Sequence, residues 1–132
     1  MRKLVVYLSG GMRGEDWQSR VIQKCGDLDF VNPRQHGLDS ADRYTPADLL
    51  GVKRCDVLLA YMADDNPSGI GLALEVGYAL ALGKTVVLVD RSEGDREKYM
   101  AIVRQAAQVR FDHILLAIAW LQSVAAMSRC IG

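Results

Sequence analysis

One carboxylate in this chain has nothing near it in sequence to account for it. Within NPSGIGLALEVGYALALGK, residues 66–84, Glu75 lies in a run of Leu, Ala, Val and Ile. On a helix its neighbours three and four residues away are Gly71, Leu72, Tyr78 and Ala79, so no Lys or Arg neutralises it. A carboxylate without a charge partner among apolar side chains is costly, and its pKa rises. That setting suits a nucleophile or a general base. The plainer alternative is a carboxylate satisfied by a hydroxyl or backbone donor from another segment. Tyr7, in KLVVYLS, can supply an orienting hydroxyl, although a β-forming aromatic needs no such role.

Two glycine-rich loops are the next candidates. LSGGMRGEDW follows a strand and opens a helix, where backbone N–H groups can face an anion. It has neither the spacing of a dinucleotide fingerprint nor the Lys of a phosphate-binding P-loop. Arg13 favours an anion there, and Ser9, Gly10, Gly11, Met12 and Arg13 are the expected substrate contacts. NPSGIG offers Ser68 as a helix cap, with Gly69 and Gly71 allowing a ligand close to the backbone. Asp48 is the remaining catalytic candidate, although a place in the first turn of its helix explains an acid equally well. Asp64 and Asp65 read as solvated loop residues, and Trp17 as a core anchor. His36 and His113 have no metal-type spacing. No Ser–His–Asp order and no metal cluster is present, so neither a metal nor a cofactor is expected.

These residues need a scaffold that brings them together. Short β-rich runs at 3–9, 28–33, 56–62 and 84–90, and a weak one at 109–112, alternate with helical segments at 14–26, 45–55, 68–83, 94–108 and 113–127. Thr45 as N-cap and Pro46 at the first helical position mark the second helix, after a polar loop over 34–44. Alternation of this kind predicts an α/β fold, a five-stranded parallel sheet with right-handed crossovers and helices on both faces. Ligands then bind beyond the carboxyl ends of the strands, where strand order reverses. The loops starting at Ser9, Asn32, Tyr61 and Asp90 share that edge, whereas Asp56 lies on the opposite one.

The 132 residues suffice for a single domain, 1–132, with its own core. Sixteen basic residues balance sixteen acidic ones, which argues against nucleic acid or an anionic membrane as partner. Cys25, Cys55 and Cys130 are odd in number and far apart, as expected of reduced thiols in a cytoplasmic protein. The first apolar run is too short for a secretory leader, and Gln122, Ser123, Ser128 and Arg129 interrupt the last one before it reaches a span.

In order, VYLSGGMRG, TPADLLGVKRCDVLLAY and PSGIGLALEVGYALALGKTVVLV resemble the nucleoside 2-deoxyribosyltransferase family, which includes the 2′-deoxynucleoside 5′-phosphate N-hydrolases. The resemblance covers roughly residues 4–112. Its most specific part is E-x-G-x-A (Glu75, Gly77, Ala79) with the upstream D-x(7)-D (Asp48, Asp56). It implies a flavodoxin-like, or Rossmann-like, sheet and cleavage of the bond between a nucleobase and C1′. By this resemblance Glu75 attacks C1′, Tyr7 holds Glu75, and Asp48 contacts the substrate and helps protonate the leaving base. Water or a second base completes the turnover. The substrate implied is a small nucleoside or nucleotide, and the assembly a homodimer or larger, with the apolar last two helices as interface. Two positions depart from the hydrolase pattern, Gly11 for a phosphate-binding serine of the first loop and Met100 for one donated by a neighbouring subunit. The alternatives are a phosphoribohydrolase resembling the lysine-decarboxylase-like proteins, whose P-G-G-x-G-T-x-x-E motif PSGIGLALE approaches, and a nucleotide-sensing module without turnover.

Overall fold

The computed structural model describes residues 2–131, with side chains of the last helix described as far as Ser128. The elements run β1 (Val5–Gly10), α1 (Trp17–Lys24), β2 (Asp29–Val31), a 3-10 turn (Pro33–Gln35), α2 (Ala41–Arg54), β3 (Val57–Met62), α3 (Ile70–Ala81), β4 (Thr85–Asp90), α4 (Asp95–Ala106), β5 (Val109–Phe111) and α5 (Ile114–Ile131). The five strands are all parallel, in the order β2-β1-β3-β4-β5. From β1 the chain builds outward to β2, then returns to place β3 on the other side. The order therefore reverses between β1 and β3, and the crevice lies above their carboxyl ends.

The central strands β1, β3 and β4 bury both faces, which explains their unbroken apolar runs. In β1, Val6 and Leu8 pack with Trp17 and Val21 of α1 and Ile118 and Leu121 of α5. Tyr7 points the other way, into a second core with Val52 of α2, Val76 of α3 and Val103 of α4. This period-two alternation assigns α1 and α5 to one face and α2, α3 and α4 to the other. Trp17 is 3% exposed, the core anchor expected of it.

Some boundaries differ from expectation. The loop over 34–44 is shorter, because α2 starts at Ala41 behind Ser40, and Thr45 and Pro46 lie inside the helix. Pro46 has no N–H to donate to the carbonyl of Asp42, a loss that packing of α2 on the sheet offsets. Asp48 is consequently in the middle of α2, where a first-turn dipole cannot explain it. Ser68 is not the N-cap of α3. Gly69 occupies that position with φ +70°, and its N–H and that of Ser68 both donate to Asn66 Oδ1 at 3.3 Å. Ser68 Oγ accepts a longer bond, 3.4 Å, from Ile70 N–H. The first helix opens at Trp17 rather than 14, capped by Asp16 accepting from Ser19 N–H, and the last continues to Ile131.

Asp56 lies at the edge opposite the crevice, as expected. It pairs with Arg2 at 2.7 Å and accepts from Val5 N–H at 2.8 Å, tying β3 to the start of β1. Cys25 and Cys55 are buried free thiols, and burial pushes Cys55 up to about 11. No helix among the described residues is long and apolar enough to cross a membrane.

Gly51 sets how closely α2 approaches the sheet. A Cβ there would stand 2.9 Å from both Tyr7 Cε2 and Val31 Cγ1. Gly51→Ala is expected to destabilise the fold, because overpacking costs about 1–3 kcal/mol against a helix-propensity gain of up to about 1 kcal/mol. Urea unfolding reads this as a lower midpoint at unchanged slope. A midpoint equal to wild type would show that α2 is not pinned at this distance.

Candidate active site

Glu75 lies in the second turn of α3, facing back toward β1. Tyr7 Oη donates to its Oε2 at 2.5 Å, and Ser9 Oγ donates to its Oε1 at 2.7 Å. Both donors come from one strand at a spacing of two, so both project from the same face. They are buried, at 0% and 1% exposure. Each carboxylate oxygen thus has one neutral donor, and no ion pair involving Glu75 occurs among the described residues. Burial pushes the Glu75 pKa up; the Tyr7 and Ser9 bonds pull it down, and the Asp48 charge adds to the rise. The Tyr7 phenol is driven far above its ordinary value, first by burial and then by Glu75, so it remains a donor.

Glu75 opens onto a cavity of about 640 Å³ whose walls come from β1, α2, α3 and the segment after β2. Gly10, Met12, Arg13, Asp48 and Gly71 line it, as do His36 and Tyr44, which sequence reasoning did not single out for the site. A Cβ at Gly71 would meet nothing within 4 Å, so the wall is open at that backbone position. Ser68 and Gly69 lie outside the lining, Gly69 being pressed against the sulfurs of Met62 and Met100. Met100 is 2% exposed, so its side chain offers nothing to a neighbouring chain. Asp48 Oδ1 is 2.9 Å from His36 Nε2, within one cavity wall.

The first loop is braced from below by Arg34. Its Nε donates to Gln18 Oε1 at 2.7 Å, and its terminal nitrogen donates to the carbonyls of Gly11, Gly14 and Glu15 at 2.9–3.4 Å. Gln18, 0% exposed, and the Trp17 indole N–H also donate to Gly11 O. These bonds occupy the carbonyl side of the loop, whereas the exposed Arg13 guanidinium makes no hydrogen bond or ion pair among the described residues. Gly11, Met12 and Arg13 also border a second cavity of about 420 Å³, between the first loop and Ala63–Pro67, which includes Asp64 and Asp65. Sequence reasoning overlooked Arg34 and Gln18. A buried Gln and an Arg after β2 announce themselves only through partners distant in sequence. Ser9 as a Glu75 donor was legible from its period-two relation to Tyr7. Among the described residues no group of three or more His, Cys, Asp or Glu is placed to hold a metal ion.

The burial of Glu75 has a consequence for stability. Its folded pKa lies above the ordinary 4.5, so on raising the pH the unfolded chain releases this proton first and stability falls. Glu75→Gln removes that titration. The variant is expected to be more stable than wild type near neutral pH, with the gap shrinking as pH falls through the raised folded value and all but closed below the ordinary Glu value. Thermal unfolding between about pH 4 and about pH 8 measures it; a constant gap would mean that Glu75 does not titrate abnormally.

The family model described as nucleoside 2-deoxyribosyltransferase like matches residues 3–92. Among solved structures, BlsM superposes with a TM-score of 0.65 at 23% identity, covering 90% of this chain and 87% of its own. The Clostridium botulinum CMP N-glycosidase BcmB gives 0.58 at 18%, covering 89% and 97%. A 2-desoxiribosyltransferase from Leishmania mexicana gives 0.55 at 24%. That alignment covers 65% of this chain and 63% of the Leishmania protein, and at these identities all three likenesses speak for the fold alone. No curated protein sequence matches the chain. The matched span includes β1, the first loop, α2 and α3 with Tyr7, Asp48 and Glu75, and it exceeds half of the chain, so the chain belongs to the nucleoside 2-deoxyribosyltransferase-like family.

Proposed function

We propose that the protein cleaves the N-glycosidic bond of a nucleoside or nucleoside 5′-monophosphate through a glycosyl ester on Glu75. The observation that carries this reading is a buried carboxylate held by two neutral hydroxyls at the wall of a nucleoside-sized cavity. Departure of the base gives C1′ oxocarbenium character, which an adjacent carboxylate stabilises and then captures, as in retaining glycosidases. A cation beside Glu75 would compete with that positive charge. Neutral donors orient the carboxylate and leave its charge available to the transition state. Water, or a second base, then attacks C1′ and releases Glu75. Asp48 is the group across the cavity that serves the leaving base. Arg13, with the loop around Gly10–Met12, is suited to a 5′-phosphate or a polar sugar end. The Leishmania relative's name denotes transfer and the Clostridium relative's denotes hydrolysis of a nucleotide, so both outcomes belong in the test.

The test is base release, read by chromatography, from ribo- and deoxyribonucleosides and their 5′-monophosphates, with and without an acceptor base. Wild type is expected to release base from at least one of them. Glu75→Ala should lose about 10³-fold or more, as removal of a nucleophile does. Tyr7→Phe should lose about 10- to 100-fold in kcat, because Ser9 still holds the other oxygen. A Glu75→Ala variant with full turnover would overturn the reading.

We also propose that two chains associate. Because α4 and α5 lie on opposite faces of the sheet, they do not form one surface. The surface proposed combines Tyr99 and Ile102 of α4, 71% and 76% exposed, with Ile70 and Leu74 of α3. Light scattering should give a dimer for wild type and a monomer for Ile102→Asp. A wild-type monomer at micromolar concentration would exclude it.

A further inference from the structure

His36 has a place in the cavity that its sequence position does not announce. It follows the 3-10 turn after β2, and two hydrogen bonds fix its ring. Nδ1 accepts from Leu38 N–H at 3.0 Å, and Nε2 lies 2.9 Å from Asp48 Oδ1. A nitrogen that accepts from an amide carries no proton, so the ring proton is on Nε2 and donates to Asp48. The side chains are 28% and 20% exposed, which leaves the pair only partly screened by water. Asp48 Oδ2 has no hydrogen bond among the described residues. A carboxylate tethered by one oxygen, on a residue that lines the same cavity as Glu75, is arranged to act on a bound molecule.

We propose that His36 is a positioning residue of the reaction, holding Asp48 Oδ1 so that Oδ2 faces the base that departs from C1′. This rests on the N-glycosidase reading above. In the first step the C1′–N bond breaks with its electron pair passing to the base, and a Glu75 oxygen bonds to C1′. Asp48 Oδ2 takes up a proton from solvent as the substrate binds and passes it to a base nitrogen, so the base leaves neutral and Asp48 is again a carboxylate. The Nε2–H bond strengthens as that charge forms. In the second step water oxygen bonds to C1′, the ester oxygen leaves with its pair to regenerate Glu75, and the water's proton returns to Asp48. Leu38 N–H, by occupying Nδ1, keeps the ring in the tautomer that donates.

The substrate itself separates this role from a structural one. A 7-methylpurine deoxynucleoside already carries positive charge on its base and needs no proton to depart. With an unmodified substrate, His36→Ala is expected to lower kcat about 10- to 100-fold, within the range that a positioned acid contributes, with KM little changed. His36→Gln, whose amide N–H can reach Asp48, should recover part of that loss. With the 7-methylpurine substrate, release of the first equivalent of base by both His36 variants should match wild type within about threefold, because that step needs no proton from Asp48. Equal losses on both substrates, or none on either, would overturn the proposal while leaving base release by wild type intact. Silence of wild type on every substrate would instead remove the N-glycosidase reading, and with it this role for His36. Imidazole ¹⁵N spectra test the tether independently of turnover, since the chain has two histidines and His36→Ala assigns them. An Nε2–H tautomer whose signals shift in Asp48→Asn is expected; an Nδ1–H tautomer, or no shift, would overturn the tether.

Discussion

A buried carboxylate held by hydroxyls and by no cation is the constraint around which this fold is arranged. Desolvation disfavours the charged form of Glu75, and the bonds from Tyr7 and Ser9 offset only part of that cost. The arrangement works because β1 is buried on both faces, so Tyr7 and Ser9 can be donors with no water competing for them. It also requires α3 to lie directly over the end of β1. The small residues of the run around Glu75, and the left-handed turn at Gly69 that starts it, make that approach sterically feasible.

The remaining walls depend on the same closeness. Gly51 allows α2 to rest almost on Tyr7, which brings Asp48 to the cavity that Glu75 lines. On the other side Arg34 and Gln18 draw the carbonyls of the first loop inward, and Arg13 lies at the rim with no hydrogen bond or ion pair among the described residues. Three segments distant in sequence therefore meet at the point where strand order reverses between β1 and β3. Rigid elements carry the carboxylates Glu75 and Asp48, and loops carry Arg13 and the glycines of the first loop. That division is common in doubly wound α/β folds.

Membership of the family and the geometry of the site are separate lines of support. The family match covers the span that contains Tyr7, Asp48 and Glu75, whereas the solved relatives, all below 25% identity, speak for the fold. Gly11 and Met100, the two departures that the resemblance marks, have local explanations for what they cannot offer a ligand. Gly11 gives its carbonyl to three donors and has no side chain to offer a ligand. Met100 is sealed in the core against Gly69.

The chain by itself determined the layering and the principal carboxylate. Apolar runs without polar alternation required a sheet covered on both faces, and a helix of Leu, Ala and Val with one acid singled out Glu75, because period and polarity are local properties. The period of two from Tyr7 to Ser9 was local as well, so Ser9 as a second donor was readable in principle. Tertiary structure alone decided the rest. The start of α2 lies at Ala41, where Arg43 and Tyr44 N–H donate to the Ser40 carbonyl, upstream of the Thr45–Pro46 start signal. Asp48 took on a cavity role only when Gly51 let its helix approach. His36, without a metal-type spacing, became the partner of Asp48 across 12 residues, and Arg34 the brace of a loop about 20 residues away. Hydrogen bonds between distant segments depend on where the chain turns back, and no local pattern of residues encodes that.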